Sequence, residues 1–253
     1  MNFNNFEMLK KVLCYEVDNI LSLVRSLKEV DLTGYDFSKI ESWHQLYLLD
    51  FSEIVSHISG VPNTDLVQPL EKVYESYLKI VDKTFWQSWL EERRNYPHRY
   101  PKYEPTSDKS QNFPAFYVLM KSYECVLIHK TAMQSLFIKL EQDGEVNDEI
   151  LHKVLQVDKT IIFYPPVQNK INHAIVTQDA NFLKNLTRSL NSTMPVRRYP
   201  ELIFAVWLVV QSGYYDELTK EQKVSFFMNY YSEYKEPESL FREVNRIKKS
   251  LKT

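Results

Sequence analysis

The chain is predicted to be all-α, with an N-terminal antiparallel helical bundle followed by a C-terminal set of shorter helices. Three observations predict it. Apolar residues recur at helical spacing through most of the 253 residues. Only four glycines are present, and Gly34, Gly60, Gly144 and Gly213 each stand where a helix-period stretch stops, the place for a left-handed cap. Pro200 and Pro237 stand where helices are expected to begin, positions at which the missing N–H has no intrahelical partner to lose.

The elements are taken in order. Phe6, Leu13, Ile20 and Leu27 recur every seven residues, with Val17 and Val24 between them, so residues 4–30 read as one helix with a single apolar stripe. The break at Thr33-Gly34-Tyr35-Asp36 precedes a second helix over 38–59, which stops at Gly60 and Pro62. Asn63 or Thr64 can cap a third helix through Leu66, Leu70, Val73, Tyr77 and Ile80 toward Glu92. Residues 95–114 (NYPHRYPKYEPTSDKSQNFP) carry four prolines and no apolar period, so an irregular loop is expected there. A fourth helix over 115–142 places Leu119, Tyr123, Val126, Met133, Phe137 and Leu140 on one face and ends at Asp143-Gly144.

Beyond Gly144 the elements shorten, and a boundary there divides the chain into 1–143 and 144–253. Asn147 caps a helix to Val157, and 160–164 reads as extended before Pro165-Pro166. A helix over 179–191 leads to a polar break up to Tyr199. The run from Pro200 to Gly213 is almost wholly apolar and reads as a helix buried on all sides. Thr219 with Gln222 three residues on is a capping-box pattern. Pro237 opens a last helix carrying Leu240, Val244, Ile247 and Leu251.

Composition narrows the function. Phosphate-cradling loops, dinucleotide fingerprints and nucleophile elbows are built on glycine, which is scarce here. A net charge of −2 gives no global pull toward nucleic acid or anionic membrane. Two cysteines, Cys14 and Cys125, make neither a disulfide framework nor a zinc site. The N-terminal residues lack a signal pattern, and the longest apolar run, LIFAVWLVV, is about half of a ~20-residue span. A cytoplasmic, cofactor-free protein without membrane contact is the expectation.

The densest functional signal begins at Arg93-Arg94-Asn95-Tyr96-Pro97-His98 and runs on to Tyr103. An Arg, four residues and a His resembles the R-x4-6-H signature of HEPN-type ribonucleases, an all-helical family whose protomers bring two such pairs together. Over these six residues the resemblance implies that Arg93 stabilises a scissile phosphate and His98 serves as general acid or base. The pattern departs from the family in Pro97 directly before His98 and in Arg94 after Arg93. The same stretch interleaves Arg93, Arg94, Arg99 and Lys102 with Tyr96, Tyr100 and Tyr103. Cations hold phosphates while aromatic faces stack unpaired bases, and Tyr and Arg equally dominate protein hot spots. A solvated loop whose arginines offset a helix dipole is the plain alternative.

Other patterns carry less. Glu41/His44 and Glu149/His152 have the Glu-x-x-His spacing of di-iron bundles, but both fall in first turns of helices. Asp50, Glu53 and His57 share one face, which reads as the solvated side of a helix, and His129 as a satisfied, partly buried histidine. The C-terminal helix sets Arg242, Arg246, Lys248, Lys249 and Lys252 against Glu243, and the 170–198 stretch holds Lys184, Arg188, Arg197 and Arg198 against Asp179. If the two stretches meet, they make a phosphate-binding face. The sequence therefore points to a non-catalytic α-helical binding protein, a subunit, adaptor or inhibitor with a protein partner, acting through a Tyr/Arg-rich surface that can also contact RNA or single-stranded nucleic acid. The alternative is a metal-independent ribonuclease using Arg93 and His98.

Overall fold

The computed structural model describes residues 1, 3–27, 43–59, 69–82, 109–142, 144–193, 197–231 and 236–251. The fold is all-α with one two-stranded ribbon. Helix α1 (Phe3–Leu27) buries the predicted stripe, with Phe6, Leu13, Val17, Ile20 and Val24 all inaccessible to solvent or nearly so.

The predicted helix over 38–59 is divided. Its described part is a 3-10 turn (Trp43–Leu48) followed by α2 (Phe51–Ser59). The cause is local. Glu53 N–H donates to Asp50 Oδ1 at 2.8 Å, and Asp50 N–H donates to Glu53 Oε2 at 2.8 Å. This reciprocal cap starts a new helix within the run, so Asp50 and Glu53 do more than solvate a face. Helix α3 (Leu70–Val81) has Pro69 at its N-cap rather than Asn63 or Thr64, and extended backbone at Asp82 ends it well before Glu92.

Helix α4 (Lys109–His129) begins before the predicted start and contains Pro114, so the irregular stretch expected over 95–114 is helical from Lys109 onward. A proline in the early turns removes one hydrogen bond while its fixed φ still suits a helix. The predicted helix to residue 142 breaks at Lys130, whose φ of 59° is left-handed and incompatible with a continuing right-handed turn. Helix α5 (Met133–Leu140) resumes after it. The stripe from Leu119 to Leu140 is nonetheless buried throughout. Strands β1 (Glu141–Gln142) and β2 (Glu145–Val146) pair antiparallel, and Gly144, at φ +79°, turns a hairpin rather than ending a helix.

In α6 (Asp148–Val157), Asn147 Oδ1 accepts from Ile150 N–H, as its sequence predicts. The stretch expected to be extended is a 3-10 turn, Lys159–Phe163, capped by Asp158. The Pro165-Pro166 pair opens a helix that the sequence pattern does not predict, α7 (Pro165–Val176), because proline is well suited to a first turn. Asp179 caps α8 (Ala180–Leu190). Helix α9 (Pro200–Gln211) has Pro200 at its first position, and Gly213 follows it at φ +80°. The Thr219–Gln222 capping box forms both bonds at the start of α10 (Lys220–Phe227). Helix α11 (Pro237–Ser250) buries Leu240, Val244 and Ile247.

Helices α4 and α9 are the hubs. Eight consecutive residues of α9, Leu202–Val209, are buried, and α9 packs against α1, α4, α10 and α11. Phe204 is fully buried and meets Phe51 edge-on at 5.2 Å and Tyr123 at 5.3 Å. The buried apolar side chains form one cluster with members on both sides of Gly144. Helix α1 is also tied along its length to the C-terminal half. The Met1 ammonium donates to Glu217 O, Lys10 Nζ to Ser225 Oγ, and Arg25 pairs with Glu201. Among the described residues no helix is long and apolar enough to cross a membrane.

Because Phe204 is enclosed on every side, Phe204→Ala should cost about 3–5 kcal/mol of unfolding free energy in a denaturant titration. Lys184→Ala on the exposed face of α8 should stay within about 0.5 kcal/mol.

Candidate functional site

The most connected polar group of the interior is Asp158, which has no solvent exposure. Tyr47 Oη donates to its Oδ2 at 2.6 Å and Tyr117 Oη to its Oδ1 at 2.7 Å. Thr160 adds its backbone N–H at 2.9 Å and its hydroxyl at 2.7 Å to Oδ1. The group thus joins the Trp43–Leu48 turn, α4 and the Lys159–Phe163 turn. Rings close around it: Trp43 stands edge-on to Tyr117 at 5.7 Å, and Phe137 packs on Tyr47 and Tyr164. Burial first, and the neighbouring Asp158 charge second, hold the Tyr47 and Tyr117 hydroxyls protonated well above the usual tyrosine range. His44 sits at the rim, 3.5 Å from Thr160 O, and desolvation lowers its pKa. Asp158 and Tyr47 have no solvent exposure, and the cluster acts as an anchor between the three elements.

The accessible candidate lies at the other end of α4. Lys130 folds its ammonium back onto Leu127 O at 2.8 Å, and Arg197 Nη2 reaches Ile128 O at 3.5 Å. Two cations therefore face adjacent carbonyls of one helix C-terminus, where the dipole is negative. Arg246, on α11, is the third. Its side chain pairs with Glu243, Nε to Oε2 at 2.9 Å, yet it still weighs on the Lys130 ammonium. Desolvation, with Arg197 and Arg246 adding repulsion, pulls the Lys130 amine down to about 8. His129 Nε2 donates to Lys153 O at 2.9 Å and is lowered by burial, with Lys153 and Arg197 adding to the shift.

The predicted residues are distributed unevenly. Arg197, from one basic stretch, reaches the helix end beside Lys130, and Arg246, from the other, pairs with Glu243 while its charge weighs on the Lys130 ammonium. Arg198 lies with its guanidinium 4.8 Å from the Tyr199 ring centroid, and Tyr199 itself is left-handed at φ 56° and packed on Tyr231. Lys248 turns the other way, to Asp216 and the Tyr215 ring. Arg242 and Lys249 are exposed on α11. Arg93, Arg94, Tyr96, His98, Arg99, Tyr100, Lys102, Tyr103 and Lys252 lie outside the described residues, as does Glu41. Glu149 pairs with Lys153, and His152 Nδ1 meets Ser189 Oγ at 3.0 Å, so that Glu-x-x-His pair is divided between two partners. Among the described residues no three metal-ligating side chains gather.

Both cysteines are free thiols, and burial pushes Cys125 up to about 12 and raises Cys14. Neither has the lowered pKa of a reactive thiolate. Three contributors have no clear signal in the sequence. The Asp-x-Thr cap at Asp158 has a local signature, but its distant tyrosines have none. Lys130 has no signal beyond its place at the end of an apolar run. Comparison with known proteins gives no match: no family model fits the chain, and neither a curated protein nor a solved structure resembles it significantly.

The anchor carries two expectations. Tyr47→Phe and Tyr117→Phe should each cost about 1–3 kcal/mol, and the double variant should depart from their sum, because both hydroxyls serve one carboxyl group. A hydroxyl whose folded pKa is raised stabilises fully below the unfolded value of about 10 and loses that stability as pH rises further. Unfolding titrations above pH 10 should show falling stability in the wild type, and less of a fall in the double Phe variant.

Proposed function

We propose that this chain is a non-catalytic α-helical binding protein, a subunit, adaptor or inhibitor, that receives the anionic part of its partner at the basic corner formed by Lys130, Arg197 and Arg246. One observation supports the reading above the others: Lys130 and Arg197, far apart in sequence, both bond carbonyls of one helix end, and the charge of Arg246 weighs on the first of them. A helix C-terminus accounts for roughly half an opposing charge, less than one of the three cations. Arg198 beside Tyr199 extends the surface with the Arg/Tyr pairing that binding surfaces favour. The Tyr/Arg-rich 93–103 segment belongs to the same proposal on its composition.

The test uses labelled single-stranded RNA and labelled poly-glutamate in parallel, each against wild type, Arg197→Gln and Arg246→Gln. The expected result is a complex that weakens steeply with salt, with each Gln variant lowering the log–log salt slope for RNA by about 0.7. RNA binding identifies a nucleic-acid partner, and poly-glutamate binding alone identifies an acidic protein segment. Binding to neither, or binding indifferent to both variants, overturns the proposal.

A further inference from the structure

The chemistry of the corner narrows the anion itself, an inference that rests on the proposed function and adds a ligand class to it. Lys130 is half-buried and held by a left-handed backbone, a conformation that a non-glycine residue seldom adopts. Its amine bonds Leu127 O, one carbonyl away from the one that Arg197 reaches. The charged groups that weigh on it are Arg197 and Arg246, both cations, and among the described residues neither Lys130 nor Arg197 has a carboxylate partner. Arg197 makes one long hydrogen bond there, to Ile128 O, and a guanidinium has five N–H donors. Set against Glu243 and the helix end, the three cations leave a positive charge of about one and a half.

The contrast with Lys159 shows what a purely structural lysine does here. Its ammonium reaches the carbonyls of Ser189, Leu190 and Ser192 at the end of α8. One lysine there meets three carbonyls. At the end of α4 two cations are bonded to two adjacent carbonyls, one apiece, and the charge of a third cation, Arg246, weighs on one of them. Capping needs only one of them, so the excess points outward to a ligand.

We infer that Lys130, Arg197 and Arg246 form a site for a tetrahedral phosphate dianion, either free or as a terminal phosphate monoester. A phosphate monoester carries roughly −1.5 to −2 at neutral pH and three strong acceptor oxygens. That charge matches the excess of the corner, of which a single carboxylate would leave about half a charge without a counterion. The planar fork of Arg197 supplies paired donors and the Lys130 ammonium a point charge. On binding, the Lys130 ammonium exchanges Leu127 O for a phosphate oxygen, and its proton is held more firmly.

That change is the readout. Lysine acylation by acetic anhydride, followed residue by residue by mass spectrometry, reports the neutral amine. It is run in chloride and in inorganic phosphate at equal ionic strength and pH. Phosphate should slow Lys130 acylation on the order of tenfold, the effect of about one unit of pKa, and leave exposed Lys11, Lys184 and Lys249 unchanged. Arg197→Gln, and separately Arg246→Gln, should remove the protection. A short RNA with a 5′-phosphate, compared with its 5′-hydroxyl form, separates the sources: protection at far lower concentration by the phosphorylated end assigns a terminal monoester, and protection by inorganic phosphate alone assigns the free ion. No protection by any of these, or equal slowing at all lysines, overturns the site. If salt-sensitive binding that needs Arg197 persists in that case, the binding reading stands and only the phosphate site fails.

Discussion

The carboxyl group of Asp158 is the constraint on which the rest of the architecture depends. It is fully enclosed, and a buried acidic group is tolerated only when its oxygens are satisfied. Four donors do this, and three come from side chains that must be placed to reach it: Tyr47, Tyr117 and Thr160. Satisfying one acid therefore fixes the Trp43–Leu48 turn, α4 and the Lys159–Phe163 turn relative to one another. The aromatic packing of Trp43, Phe137 and Tyr164 is arranged around that requirement. A wholly apolar core would tolerate sliding between these elements, whereas a hydrogen-bond network of this kind rigidifies a single arrangement when every member is satisfied.

The anchor reaches the surface through α4. Tyr117 holds one part of that helix to the residue that ends α6, and His129, twelve residues on, bonds Lys153 of the same α6. Helix α4 is thereby tied to α6 at two points, and its terminal carbonyls are presented in a fixed place. Lys130 and Arg197 are set against those carbonyls, and α9, which comes directly after Arg197, packs on α4 and on α11, which carries Arg246. The basic corner is thus assembled by the same helices that build the core. Its residues lie far apart in sequence and are brought together by buried apolar area, which supplies most of the free energy of folding.

How much of this is legible in the sequence depends on the range of the interaction. The stripe of α1, the Asn147 cap, the Thr219–Gln222 capping box, the Pro200 start and the Gly213 stop are all legible, because each is a relation between residues within a few positions. Breaks within apolar runs are not. Periodicity continues across Asp50 and across Lys130, so two helices in succession look like one when only the apolar face is traced. Pro165-Pro166 reads as a stop by the same logic, although proline also suits a first helical turn. At the candidate site, Arg197 and Arg246 are visible as members of basic stretches, and their meeting is a condition the sequence leaves open. Lys130 and the two tyrosines on Asp158 are invisible, because their significance lies wholly in long-range packing.

The most direct measurement of the central account is an NMR titration of protein labelled at arginine Nε with a short polyphosphate chain. If the corner is the anion-receiving surface, the Arg197 and Arg246 Nε–H signals move first and saturate together. Arg25, paired with Glu201 at 2.7 Å, and Arg188, on the outer face of α8, remain where they were. Signals that move at Arg25 and Arg188 as readily as at Arg197, or an unchanged spectrum, would contradict it.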